Sequence, residues 1–211
     1  MVNQLEKIET NFLIKTMNKN KFSFFKAPIK NVQPDRSINI EQVYNLIKGD
    51  TYKEITNEYR RLLKNNDANA KEFKSSKFDY VTFGGEFSKR SDKNLIKRSN
   101  LMVLDIDKQQ NVEAIKQQLI NDDALNPLLV FISPSGKGLK VAVLMDKEIA
   151  DKNKAVWNAV NNYLKKHYNS IIQPDSSDNY IDPSGTDISR ACFICHDENI
   201  FFNTKNNTND N

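Results

Sequence analysis

The chain has 211 residues, of which 38% are hydrophobic and 27% charged, with 31 Lys and Arg against 27 Asp and Glu. That length and apolar share suit one large domain or two small ones and exclude whole-chain disorder. No apolar run reaches membrane-spanning length, the N-terminus lacks the form of a secretory signal, and two cysteines cannot build a disulfide framework, so a cytoplasmic protein with no membrane partner is expected.

Residues 1–21 carry only weak patterning and read as a poorly ordered N-terminus. Phe22 to Phe25 reads as a short strand stopped by Pro28. Helical spacing runs from Asn39 to Lys48 and from Tyr52 to Lys64, with Gly49-Asp50-Thr51 as the break and cap between them. Phe78 to Phe83 alternates as a strand does and ends in Gly84-Gly85, and the basic stretch 86–98 reads as a surface crossing. Beyond it come a buried strand at Leu101 to Asp107 that ends in carboxylates, a helix at Val112 to Ile120 and a strand at Leu128 to Ser133. A tight loop, a strand at Leu139 to Met145 and a long helix from Ala150 to His167 follow. Arg190 to Cys195 reads as a final core strand, Ile200 to Phe202 as a short edge, and 204–211 as a disordered tail.

The expected class is therefore α+β. A β-α-β-β-α-β half of ferredoxin-like, RRM-like order (78–203) follows an α-rich basic part (22–77). With no Pro- or Gly-rich linker between them, 22–203 reads as a single unit. Charge is uneven along it: residues 51–100 carry a local net of +5, and 182–211 a net of −3. A basic block upstream of an acidic segment suits a phosphate-rich ligand held near a metal site.

Four stretches can carry chemistry. Asp105 and Asp107 lie at i and i+2 on a strand, so both side chains share a face. Adjacent carboxylates repel unless a cation sits between them, and an all-oxygen set suits Mg²⁺ or Mn²⁺. Ser133-Pro134-Ser135-Gly136-Lys137-Gly138-Leu139-Lys140 frees backbone N–H groups for an anion and adds two lysines, without the spacing of a Walker loop. Asp182 or Asp187 can supply a third carboxylate, and Arg190 a bidentate phosphate contact. Cys192-Phe193-Ile194-Cys195-His196 fits the haem-attachment pattern and half a zinc site. Neither haem nor zinc is expected there: the first needs an exported chain, and the second needs ligands the chain lacks, leaving two buried thiols with His196-Asp197 near the site.

Taken together, Leu104-Asp105-Ile106-Asp107, the Ser133–Lys140 stretch and Asp187 to Phe193 resemble the VirE N-terminal domain family of the archaeo-eukaryotic primase superfamily. Phe25 to Ile29, Leu46 to Asp50 and Phe83 to Arg90 extend the resemblance over about 22–203. The resemblance implies a primase-polymerase-like nucleotidyltransferase acting on a single-stranded or primed DNA template, in replication of a chromosome or mobile element. It implies two Mg²⁺ or Mn²⁺ ions on Asp105, Asp107 and Asp182, with Asp187 as the alternative third carboxylate. It also implies a nucleoside triphosphate cradled by Ser133, Ser135, Gly136, Lys137, Gly138, Lys140 and Arg190, and a helicase or other replication protein as a separate partner. Lys140 stands where the superfamily has a histidine; it keeps the charge and loses the imidazole geometry. Two other readings fit the same residues. One is a non-catalytic single-strand-binding module stacking bases on Phe24, Phe25, Tyr80, Phe83 and Phe87. The other is a metal-dependent nuclease.

Overall fold

A computed structural model describes residues 20–149 and 151–203. The N-terminal expectation up to residue 19 and the tail from 204 lie outside the described residues. Among the described residues the architecture is α+β, with two four-stranded antiparallel sheets, one hairpin and five α-helices. No helix among the described residues is long and apolar enough to cross a membrane.

The first sheet holds β1 (Phe22–Phe25), β2 (Arg36–Ile38), β3 (Tyr80–Thr82) and β9 (Cys192–Phe193), in the order β2-β1-β3-β9. The part expected to be α-rich thus contributes two strands. All four residues of β1 are buried, which is why so short a segment can be central. Between β2 and β3 lie α1 (Ile40–Lys48), α2 (Lys53–Lys64) and α3 (Ala70–Lys77). Asn39 caps α1 in a reciprocal box: its side chain accepts from the Gln42 N–H at 2.9 Å, and the Gln42 side chain accepts from the Asn39 N–H at 3.0 Å. Helix α3 has its polar residues spread around it and a weak apolar stripe, which is why periodicity passes over it.

Residues 85–98 do not simply cross the surface. They form a hairpin of β4 (Gly85–Phe87) and β5 (Leu95–Arg98), irregular between Glu86 and Phe87. The irregularity breaks the alternation that would announce two strands. Just before β4, a Cβ on Gly84 would fall 2.3 Å from the Ile188 carbonyl oxygen. Only glycine lets the segment carrying Asp187 and Arg190 come this close.

The second sheet has the order β10-β7-β8-β6. Its strands are β6 (Leu101–Ile106), β7 (Leu129–Ile132), β8 (Leu139–Leu144) and β10 (Phe201–Phe202). Helix α4 (Val112–Ile120) joins β6 to β7, and α5 (Asn153–His167) follows β8. The element order strand, helix, strand, strand, helix therefore follows the expectation from β6 to α5. The closing strand does not. Within the expected strand Arg190–Cys195, Cys192–Phe193 pairs with β3 in the first sheet, and β10 takes an edge beside β7. An apolar run of this length says that a strand is buried, and nothing in it says beside which partner.

The second sheet is buried on both faces. Met102, Leu104, Ile106, Val141 and Val143 share a core with Ile115, Leu119, Trp157 and Leu164 of α4 and α5. Leu101, Val103, Leu129, Phe131 and Ala142 share the other core with β1, α1 and α2. Removing one such buried Leu or Phe side chain from water is worth roughly 1.5–3 kcal/mol. Helix α4 is further tied to the C-terminal segment by a buried ion pair, Lys116 to Asp197 at 3.0 Å. Period-two alternation along β6 puts Asp105 and Asp107 on the Leu101/Val103 side. The carboxylates therefore face the first sheet, where the shared core gives way to a cleft.

Candidate metal and anion site

Strand β6 ends in Asp105-Ile106-Asp107. The third carboxylate comes from Asp182, in the segment after α5. Two hydrogen bonds to the Asp182 main chain fix that segment: the Asp182 N–H donates to the Asp105 carbonyl at 2.8 Å, and the Trp157 indole N–H donates to the Asp182 carbonyl at 3.0 Å. Asp105, Asp107 and Asp182 each offer one oxygen, all within 4.8 Å of one another. Asp187 does not join them. It lies on the cleft wall beside Asp92, accepting from the Ser189 N–H at 2.9 Å and from the Ser189 hydroxyl at 3.0 Å, and the Ser189 N–H also reaches Asp92.

Lys140 lies directly opposite Asp105 in the β6–β8 register, and its ammonium pairs with Asp105 Oδ2. Both side chains are largely buried, at 13% and 15% exposure. Asp105 Oδ1 is buried and has no hydrogen-bond partner. A buried carboxylate oxygen without a donor is costly, and a cation would satisfy it. Oxygen ligands at this spacing fit a hard divalent ion such as Mg²⁺ or Mn²⁺.

The electrostatics are consistent with a crowded acid site. Burial, with the charge of Asp182 acting the same way, raises the Asp107 carboxyl above its ordinary value against the pull of Lys74, Lys108 and Arg190. Burial acts on Asp182 too, but the Ser184 hydrogen bonds and the charges of Arg190 and Lys140 outweigh it and hold its carboxyl low. Burial lowers the Lys140 ammonium to about 8, and Lys74 and Arg190 push it the same way. It is still a cation at neutral pH.

A cleft of about 540 Å³ opens in front of these groups. Asp105, Asp107, Ser133, Ser135 and Lys140 line it from the second sheet; Lys74, Arg90, Asp187, Arg190 and Phe193 line it from the other side. A second cleft of about 490 Å³ shares Asp105 and Asp107 and adds Asp182. Arg190 bridges the two, 3.2 Å from Asp182 Oδ2.

The Ser133–Lys140 stretch divides by role. Ser133, Ser135 and Lys140 face the cleft, whereas Gly136, Lys137 and Gly138 are not among its lining residues. Lys137 is exposed, and its carbonyl accepts from the Gln109 N–H at 2.8 Å. Gly138 is a packing requirement: a Cβ there would lie 2.6 Å from the Ile106 carbonyl oxygen and 3.1 Å from Asp107 Oδ1. Arg60 of α2 braces the loop, donating to the Pro134 carbonyl at 3.2 Å and the Ser133 carbonyl at 3.4 Å.

Lys74 and Arg90 were missed as individual site residues. Phe25, Tyr80 and Phe193 stand in register across β1, β3 and β9. The Lys74 ammonium lies 5.1 Å from the Phe193 ring and the Arg90 guanidinium 4.9 Å from the Tyr80 ring. The basic excess of 51–100 hinted at such a wall, but only strand pairing says which of its twelve cations reach it. Several do not: Lys53 pairs with Asp50, and Arg61 with Glu58. The aromatics read as stacking platforms are core residues; Phe24, Phe25, Tyr80, Phe83 and Phe87 are at most 2% exposed. Strand alternation had placed them as well on a buried face as on an open one.

His196 and Asp197 are also occupied elsewhere. The His196 ring is 2.9 Å from the Gly49 carbonyl, and Asp197 accepts from Lys116 and from the Ile132 N–H. Cys192 and Cys195 are buried free thiols, both pushed up by burial, and the Cys195 thiol donates to the Ile132 carbonyl at 3.2 Å.

Comparison with protein families gives a match to the family described as BT4734-like, N-terminal domain, over residues 72–202. This family name differs from the one the motifs resemble. Comparison with curated proteins and with solved structures gives no match.

Proposed function

The chain belongs to the BT4734-like, N-terminal domain family, and from its site we propose a primase-polymerase-like nucleotidyltransferase working on single-stranded or primed DNA. One observation carries the reading. Asp105 and Asp107, the first with an orphaned buried oxygen, face Lys74, Arg90 and Arg190 across one cleft, and Asp182 completes the carboxylate cluster from the adjoining cleft. The acidic side suits a divalent metal and the basic side a polyphosphate. The sequence resemblance to the primase superfamily supports the same assignment, and the split β-α-β unit with its two helices would act as a ferredoxin-like palm.

Asp105, Asp107 and Asp182 would hold Mg²⁺ or Mn²⁺. Such an ion, when bound, supplies charge stabilisation at the α-phosphate and lowers the pKa of an attacking hydroxyl. In the reaction a 3′-oxygen bonds to the α-phosphorus, the bond to pyrophosphate breaks, and the hydroxyl proton passes to solvent. This chain's residues position the reactants. Arg190, Lys74 and Arg90 would bind the phosphates, Ser133 and Ser135 would offer hydroxyls, and the exposed lysines of 51–100 would take template charge.

The test is primer extension on a single-stranded template with Mn²⁺ and nucleoside triphosphates. Extension is expected with the wild type and lost with Asp105→Ala/Asp107→Ala. Shortening of the oligonucleotide would replace this reading with a nuclease. Strand binding unchanged in EDTA, with no triphosphate affinity, would replace it with a non-catalytic binding module.

A further inference from the structure

We propose that Lys140 is the resident cation of the carboxylate site, occupying the place of a second divalent ion, so that the chain binds one such ion rather than two. The inference rests on the metal reading above and adds its stoichiometry.

The first argument is the supply of oxygens. A two-metal centre holds its ions about 3.5–4 Å apart, with a carboxylate between them. Asp105, the last residue but one of β6, is the carboxylate of the three that pairs with Lys140. Its Oδ2 is already taken by the Lys140 ammonium, leaving Oδ1 alone without a partner. Asp182 Oδ1 accepts from the Ser184 N–H at 2.9 Å and its Oδ2 pairs with Arg190. One ion can use Asp105 Oδ1 together with Asp107 and the remaining lone pair of an Asp182 oxygen; a second would have to displace Lys140 from Asp105 Oδ2 to share the Asp105 carboxylate.

The second argument is charge. Three carboxylates with Lys140 and Arg190 beside them carry a net of one negative charge. One divalent ion turns this to one positive charge, and a second would turn it to three, facing Lys74 and Arg90 across the cleft. Like charges brought together away from bulk water repel strongly.

The third argument is that Lys140 has nowhere else to go. It is set opposite Asp105 on one side and Phe131 on the other by the strand register, and only 13% of its side chain is exposed. Swinging the ammonium out into the cleft would give up its pair with Asp105 and bring it towards Lys74 and Arg190, which repel it.

The experiment counts Mn²⁺ bound per chain by equilibrium dialysis and by loss of the free-ion paramagnetic signal. Asp105→Asn gives the background. The wild type is expected to hold one Mn²⁺ above background, and Lys140→Met, which keeps the stem and removes the charge, to hold two. Lys140→Gln serves as a second neutral variant, with circular dichroism confirming that each is folded. Two ions in the wild type would overturn the proposal, as would a folded Lys140→Met and Lys140→Gln that both stay at one. If neither variant folds, the wild-type count still decides. A wild type that binds no Mn²⁺ above background would instead sink the metal reading itself.

Discussion

The indole N–H of Trp157 donates to the main-chain carbonyl of Asp182, and the N–H of the same Asp182 donates to the carbonyl of Asp105. The chain's single tryptophan is thus two hydrogen bonds from the main chain of Asp105. It is 9% exposed, so its emission reports on local packing rather than on solvent. Mg²⁺ should change the emission intensity, and Mn²⁺, being paramagnetic, should quench it further. Asp105→Asn should emit as the metal-free protein does and ignore both ions. A flat fluorescence titration, under conditions where dialysis shows bound Mn²⁺, would place the ion away from Asp182.

Asp107 gives a prediction about stability. Its carboxyl is raised, so in a window above the ordinary aspartate value the folded chain holds a proton that the unfolded chain has released. The folded state is therefore favoured at the acid side of that window and loses the contribution as pH rises through the raised value. At neutral pH the Asp107 charge is a liability in the metal-free protein. Asp107→Asn should raise Tm in EDTA by a small amount: protein atoms crowd the carboxyl, but the residue is open to solvent, which screens its neighbours. It should lose that advantage when Mn²⁺ stabilises only the wild type. In the wild type, Mn²⁺ affinity should fall as pH drops through the raised carboxyl value, where the proton competes for the same oxygen. A lower Tm for Asp107→Asn in EDTA would contradict the account.

The parts of this site legible in the sequence are those set by local periodicity. Asp105 and Asp107 share a face because side chains alternate on a strand, and no tertiary information is needed for that. Asp182 could be placed no better than Asp187, because the choice depends on the main-chain bond to Asp105, across 77 residues of chain. The pairing of β9 with β3 rather than within the second sheet was hidden for the same reason. The pairing of Lys140 with Asp105 also needs the β6–β8 register, which one residue of slip would reverse. The aromatic–basic row needs three strands from both ends of the chain to line up. Phe25 and Phe193 are far apart in sequence, and nothing local says that they are neighbours.

Gly138 ties the loop to the carboxylates, and a methyl group there should be felt at Asp107. Gly138→Ala would press a Cβ against the Ile106 carbonyl, 2.6 Å away, which backbone cannot easily yield. Overpacking of this kind costs about 1–3 kcal/mol. Chemical denaturation should show that loss, and Mn²⁺ affinity should fall with it as Asp107 is displaced. Lys137→Ala, one residue away but exposed and outside both clefts, should change neither. A Gly138→Ala protein with wild-type Mn²⁺ affinity would mean that the loop can shift without moving Asp107.

Lys74 and Arg90 separate the two halves of the site experimentally. Each rests over an aromatic ring of the first sheet, and neither makes an ion pair among the described residues. A hydrogen bond to a charged partner is worth about 1.5–3 kcal/mol, so Lys74→Ala and Arg90→Ala should each weaken triphosphate binding by about tenfold or more. Both residues lie on the wall opposite Asp105, so the number of Mn²⁺ ions bound without nucleotide should not change. If the wall instead tracks a DNA backbone, each substitution should reduce the salt dependence of strand binding by about one charge and leave triphosphate affinity alone. Calorimetric titration of a nucleoside triphosphate and of a single-stranded oligonucleotide into the same variants, at two salt concentrations, distinguishes the cases. A loss confined to the triphosphate makes the basic wall a nucleotide subsite. A loss confined to the oligonucleotide makes it part of the template track and leaves the guanidinium of Arg190 to hold the nucleotide.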